Sequence, residues 1–314
     1  MFRLFVKRFA SASPLLAVVL CLSVASSSGC ASAPFYRMTN KASQSLPLSR
    51  EGIAAYERGN YAVAEEKLTQ AVQLNDSDVE TCRYYGETLW RRGKRTEAIN
   101  ALTQAAEKNG PIDSQASLRR SLGEKALACD RPELALEWAS RAVDLSPKRA
   151  ESWELRGKVY RRLGDLKSAL DDFQRATQYA QDERELLREI ASIQFELGDF
   201  DSSLASWQYL ERLYPTNREP AEVFAGKGGA YWALGLVVDA QESYETATAL
   251  DPQNAEYRVA LAQVALERGN VELATSALNE AMRLDPENQK GLAFASVLRR
   301  RLEQTAATSE GALR

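Results

Sequence analysis

Small residues recur in phase along this chain, and that recurrence constrains its fold more tightly than composition does. With a 34-residue unit counted so that Trp153 is position 4, position 8 holds Gly52, Gly86, Gly123, Gly157, Ala191, Gly228 and Ala262. Position 20 holds Ala64, Ala98, Ala135, Ala169, Ser203, Ala240 and Ala274. Position 27 holds Ala71, Ala105, Ala142, Ala176, Leu210, Ala247 and Ala281. Positions 4, 7, 8 and 11 fall on one face of a helix, and positions 20, 24 and 27 on one face of a second, by the 3.6-residue period. Gly or Ala at 8 and 20 lets the two backbones approach closely. Larger residues at 4, 11 and 24, such as Trp153, Tyr160 and Phe173, fill the rest of the seam.

The punctuation between the helices repeats as well. Position 15 is Gly59, Gly93, Gly164, Gly198, Gly235 and Gly269, with Asp130 in the third unit. Glycine there ends the first helix by entering the left-handed region without a Cβ clash. Asp165, Asp199 and Asn270 follow three of these glycines and are placed to cap the next helix. Pro147, Pro215, Pro252 and Pro286, at position 32, stop the second helix.

This pattern resembles the tetratricopeptide repeat, a 34-residue helix–turn–helix unit. The resemblance implies an all-α fold, a right-handed solenoid of antiparallel helix pairs. Seven units fit: 45–78, 79–112, 116–149, 150–183, 184–217, 221–254 and 255–288. Unit 3 departs most, with Arg119 at position 4 and Asp130 at 15; unit 5 departs with Ser203 and Leu210. Residues 289–304, with Leu292, Ala295, Leu298 and Leu302, read as a C-terminal capping helix that keeps the last apolar face out of water. Residues 305–314 read as a flexible tail and 30–44 as a tether. Two insertions of three residues, Asp113–Gln115 and Arg218–Pro220, divide the array and are either hinges or longer loops.

Residues 1–29 read as a signal peptide: a basic head of Arg3, Lys7 and Arg8, a short apolar run, then Ser26-Ser27-Ser28-Gly29-Cys30. The end of this stretch resembles a bacterial lipoprotein signal, in which the cysteine is lipidated and becomes the new N-terminus. Ser28 and Gly29 fit it; Ser27 stands where that signal usually has leucine. The resemblance implies lipidation at Cys30, a tether to a bilayer without a span, and an outer-membrane protein facing the periplasm. Ordinary cleavage after Ser27 would instead leave a soluble periplasmic protein. Without residues 1–29 the chain keeps 37 basic against 43 acidic residues, which speaks against a nucleic-acid partner.

The 314 residues include no histidine, so the commonest general base and zinc ligand are missing. No phosphate-cradling glycine loop or metal-spaced cysteine set occurs. These features predict neither catalytic residue, metal nor cofactor. Cys82 and Cys129 lie within helices, as buried free thiols or a disulfide.

Family resemblance places positions 2, 5, 9, 12 and 13 on a concave groove. Position 12 supplies Tyr56, Trp90, Arg161, Phe195 and Trp232, and position 13 supplies Arg91 and Arg162. Trp, Tyr and Arg provide most hot-spot energy, so these seven are the candidate contacts for a protein or peptide partner. Two readings compete: the aromatics either meet the partner or pack on the neighbouring helix. The arginine pairs Arg91-Arg92 and Arg161-Arg162 also suit a helix C-terminus, where cations offset the dipole. The asparagine and lysine arrangement of the family's carboxylate-clamping groove is absent. Trp153, Trp207, Phe173 and Tyr244 read as core. The resulting expectation is a non-enzymatic scaffold of the cell envelope; the alternative is a glycan-binding accessory protein using Trp90, Trp232 and Tyr56.

Overall fold

The computed structural model describes residues 33–312, with side chains over 41–304, and every described element is a helix. In chain order these are α1 (Ala33–Glu57), α2 (Tyr61–Leu74), α3 (Val79–Arg91), α4 (Arg95–Ala106), α5 (Ile112–Ala128), α6 (Pro132–Leu145), α7 (Ala150–Leu163), α8 (Leu166–Thr177), α9 (Arg184–Glu196), α10 (Phe200–Arg212), α11 (Ala221–Ala233), α12 (Val237–Leu250), α13 (Ala255–Glu267), α14 (Val271–Leu284) and α15 (Gln289–Ala312). The described residues divide into two compact units, one up to Leu118 and one from Arg119 onward, with the boundary inside α5. In the first unit α1 packs on α2, α2 on α3 and α3 on α4. In the second, each helix from α6 to α15 packs on the next in sequence, and α9 also touches α11.

The phased small residues make the seams. All seven residues at position 20, from Ala64 to Ala274, are 0% exposed, and the seven at position 27 are no more than 2% exposed. A Cβ added to Gly52 would lie 2.6 Å from Leu68, and one added to Gly86 would lie 2.4 Å from Leu102. At Gly157 the neighbour is the Phe173 ring at 3.2 Å, and at Gly228 it is Tyr244 at 3.0 Å. Each of these glycines therefore faces position 24 of its own unit, sixteen residues on. Unit 5 solves the same problem differently: Ala191 replaces glycine, and Ser203 at position 20 donates its hydroxyl to the Ala191 carbonyl at 2.8 Å. That bond satisfies a buried hydroxyl across the seam.

Every position-15 residue is left-handed. The six glycines have φ between +76° and +82°, and Asp130 takes +56°. Asp tolerates that region better than most residues, which explains how the third unit dispenses with glycine. Asp165, Asp199 and Asn270 cap the helices that follow, accepting from the backbone N–H of Ser168, Ser202 and Leu273 at 3.0–3.2 Å.

Helix α1 begins at Ala33, inside the stretch read as a tether, and α15 runs on to Ala312, into the residues read as a tail. The insertion Asp113–Gln115 lies within α5, so it lengthens a helix. Arg218–Pro220 remains in the loop between α10 and α11, where Asn217 has φ +65°. The final helix buries Phe294 and Leu298, while Leu292 is 47% and Leu302 40% exposed. Its inward face is thus rotated from the one read off the leucines. Trp207, Phe173 and Tyr244 are buried, but Trp153 is only half-buried, its indole N–H donating to the Pro147 carbonyl at 2.8 Å. Cys82 and Cys129 are both free thiols, and only Cys82 is buried.

Candidate functional site: the inner face of the first helices

The first helix of each pair carries the candidate contacts, and in three units the position-12 residue meets position 17, the opening of its partner helix. Tyr56 meets Tyr61 edge-on with ring centroids 5.5 Å apart, Phe195 meets Phe200 at 5.2 Å, and the Arg95 guanidinium lies 5.6 Å from the centre of the Trp90 ring. Aromatic pairs of this kind contribute about 0.5–1.5 kcal/mol beyond burial.

Position 12 also reaches position 13 of the next repeat, thirty-five residues on. Tyr56 stands near the Arg91 guanidinium and is the main cause of the raised Arg91 pKa. Arg161 donates to Glu196 at 2.5 Å. The Trp232 indole N–H donates to the Glu267 carboxylate. Stacking sets this spacing, because one repeat plus one residue brings the two side chains level.

The seven predicted residues therefore do not converge on one point. Tyr56 is half-buried among Tyr61, Tyr84 and Arg91, with Tyr84 5.4 Å away. Trp90 is half-buried beside Arg95. Arg161 is held by Glu189, by Glu196 and by Ser192, the last at 3.2 Å. Arg162, its neighbour in sequence, turns instead to Asp130 at 2.6 Å. Phe195 is 38% exposed and lies beside Gly229, where an added Cβ would come within 3.7 Å of its ring. Trp232 is half-buried and packs on the core of the last repeats. The reading in which these side chains pack on their neighbours thus accounts for much of each, while leaving Phe195 and the rims of the other rings open.

A charged row runs between the first helices of the second unit. Arg188 on α9 pairs with Glu185 at 2.5 Å, Glu222 on α11 at 3.4 Å and Glu189 at 3.8 Å. Glu189 also holds Arg161 of α7. A cavity of about 410 Å³ opens beside this row, bounded by Arg161, Arg188, Glu189 and Glu222, with Trp207, Gly226 and Tyr257. Gly226 is indispensable to its shape: a Cβ there would lie 2.2 Å from the Trp207 ring. Tyr257 is half-buried, and burial, followed by the Glu222 charge, raises its hydroxyl pKa. Glu185 and Glu222 both stand at position 2 of their units, one of the positions the family resemblance places on the groove. Only the stack shows that Gly226 serves the tryptophan of the preceding repeat.

Tetratricopeptide repeat models match residues 49–111, 86–150, 226–288 and 150–183. The chain belongs to the tetratricopeptide repeat family. Members of this family generally mediate protein–protein interactions. Among solved tetratricopeptide proteins, YrrB, described as having an unusual peptide-binding site, is 21% identical with a TM-score of 0.52, covering 63% of this chain and 99% of that one. The C-terminal part of a tetratricopeptide protein from Cytophaga hutchinsonii is 15% identical with a TM-score of 0.63, covering 78% and 98%. These likenesses establish the fold. The transcription factor tau 131 kDa subunit of Saccharomyces cerevisiae is 23% identical over 209 residues, 67% of this chain and 19% of that protein. The chain spans less than a third of the length of the curated relatives it matches.

Proposed function

We propose that this tetratricopeptide protein is a non-enzymatic adaptor of the cell envelope, tethered by lipid at Cys30 and holding segments of partner proteins along the inner face of its first helices. The observation that carries this reading is the cavity beside the Arg161–Glu189–Arg188–Glu222 row. It is a concave site built from consecutive first helices and Trp207 of the second helix α10, with an aromatic floor and polar rim suited to side-chain anchors. Phe195, with 38% of its surface exposed, adds an open aromatic contact on the same helix.

The tether rests on the residues Ser28-Gly29-Cys30, which lie outside the described residues. Among the described residues no helix is long and apolar enough to cross a membrane. A covalent lipid would then be the means of membrane retention, on the periplasmic side of the outer membrane.

Site-specific photo-cross-linking in cells tests the groove. A photoreactive residue at position 195 or 232 should capture a protein partner, while the same residue at exposed Asn279 on α14 should not. Capture from Asn279 alone would overturn the reading, and adducts made of glycan would replace it with the polysaccharide-binding one. For the tether, Cys30→Ser should release the protein from the membrane fraction; a variant still in the pellet would refute lipid anchoring.

A further inference from the structure

The turn of the sixth repeat departs in polarity from those of the other six. Position 16, which precedes the second helix, holds Asn60, Lys94, Arg131, Asp165, Asp199 and Asn270 in the others, and position 18 holds Ala62, Thr96, Glu133, Lys167, Asp201 and Glu272. The sixth repeat places Leu236 and Val238 there. Both are open to solvent, Leu236 at 46% and Val238 at 49%. Leu236 is also the N-cap of α12 and makes no side-chain bond to the helix. At the same position Asn60, Asp165, Asp199 and Asn270 each accept from a backbone N–H. Leucine is among the poorest N-caps, so this choice costs the helix a bond that four other repeats make. The same turn closes elsewhere with polar residues, and the fold does not require the apolar pair.

Leu197 enlarges the patch. It is 38% exposed on the turn between α9 and α10, and that turn neighbours the α11–α12 turn because α9 packs on α11. Charge then selects what covers these residues. Residues 189–211 and 228–257, which include both turns, contain no lysine or arginine. Asp199, Asp201 and Asp239 are exposed on the same two turns. Asp201 and Asp239 form no ion pair among the described residues, and Asp199 accepts only from the Ser202 backbone. Glu196, at the end of α9, is already held by Arg161. Cations return on the flanking turns, at Lys167 and Arg268. Exposed apolar patches rimmed by polar groups mark interaction sites. An acidic rim repels an anionic bilayer and attracts an apolar contact flanked by cations.

We infer that the edge formed by the α9–α10 and α11–α12 turns is a second docking surface, separate from the inner face of the first helices, for a partner segment that carries leucine-like side chains flanked by lysine or arginine. Leu197, Leu236 and Val238 receive the apolar side chains, and Asp199, Asp201 and Asp239 attract the cations. This surface goes beyond the adaptor reading of the inner face and stands without it.

Leu236→Asn combined with Val238→Thr gives the sixth turn the polarity of the others and tests the surface in the full chain. The restored cap should raise the melting temperature while binding is lost, so the loss cannot be put down to unfolding. Displayed random dodecapeptides are depleted on this double variant and then panned on the native chain. The peptides recovered should combine leucine, isoleucine or phenylalanine with lysine or arginine. A fluorescein-labelled peptide from that pool should bind the double variant on the order of tenfold more weakly, the factor that burial of one leucine supplies. Its affinity for the native chain should fall as salt rises, and Glu222→Gln, a change on the inner face, should leave it unaltered. A lower melting temperature in the double variant would make Leu236 and Val238 part of the fold and overturn the surface. Peptides without cations, or none that separate the native chain from the variant, would overturn it as well. Vesicles containing phosphatidylglycerol that bind the native chain and not the variant would put a bilayer there instead, and a native dimer that the variant loses would put a second copy there; either result contradicts the proposed partner.

Discussion

Arg156 on α7 grips Asp172 on α8 with two parallel bonds, Nε to one carboxylate oxygen at 2.7 Å and Nη2 to the other at 2.8 Å. Asp172 is 4% exposed. The same guanidinium lies 4.8 Å from the centre of the Trp153 ring, and Arg175 approaches that ring at 5.3 Å. A half-buried tryptophan thus sits between two cations while one of them closes a buried ion pair inside the helix hairpin. Removing one partner of such a pair strands a buried charge, which costs about 3–5 kcal/mol. Asp172→Ala should therefore destabilise by about 3 kcal/mol in urea unfolding. The double change Arg156→Met with Asp172→Leu should recover most of that loss. Equal losses in the single and double variants would show that the pair itself is not the source.

The seam sets a steric limit. Ala169 is fully buried at position 20, against the helix that carries Gly157. Ala169→Phe should destabilise by about 1–3 kcal/mol through overpacking. Trp232→Ala should cost less, because its ring is only half-buried at the inner face. Thermal melts of the two variants check the order, and a larger loss for Trp232→Ala would move that tryptophan into the core.

Alkaline stability should report on Tyr244. Burial pushes its phenol from 10.0 to about 12. The folded chain then keeps a proton that the unfolded chain releases above pH 10, so stability is full below pH 10 and falls as pH rises toward 12. Tyr244→Phe should flatten that part of the profile relative to the native chain. Identical slopes between pH 10 and 12 would contradict the assignment.

Cys82 should be inert. Its thiol donates to the Asp76 carbonyl at 3.3 Å, and burial pushes its pKa up to about 11. At pH 8 roughly one thiol in a thousand is then the reactive thiolate. Iodoacetamide labelling followed by peptide mapping should find Cys82 unmodified until urea unfolds the chain. Rapid labelling of the native protein would refute the buried environment.

How much of this was legible in the sequence depends on the range of the interaction. Helix pairing, the left-handed position 15 and the Asp165, Asp199 and Asn270 caps follow from spacings shorter than one repeat, and local backbone physics decides them. Asp130 at +56° shows the same rule operating where glycine is missing. The Arg156–Asp172 pair was not legible, because many charged residues lie at helical spacing and only seam geometry chooses the two that meet. The contacts from Arg161 to Glu196 and from Trp232 to Glu267 needed the stack as well, since each joins residues thirty-five apart. Gly226 was open to misreading for the same reason: its neighbour, Trp207, belongs to the preceding repeat.

Hydrogen exchange on the complex cross-linked through position 195 tests the central claim most directly. If the inner face of the first helices holds the partner, bound chain should gain amide protection along α7, α9, α11 and α13, with α8, α10, α12 and α14 unchanged. Protection confined to the second helices would contradict the account.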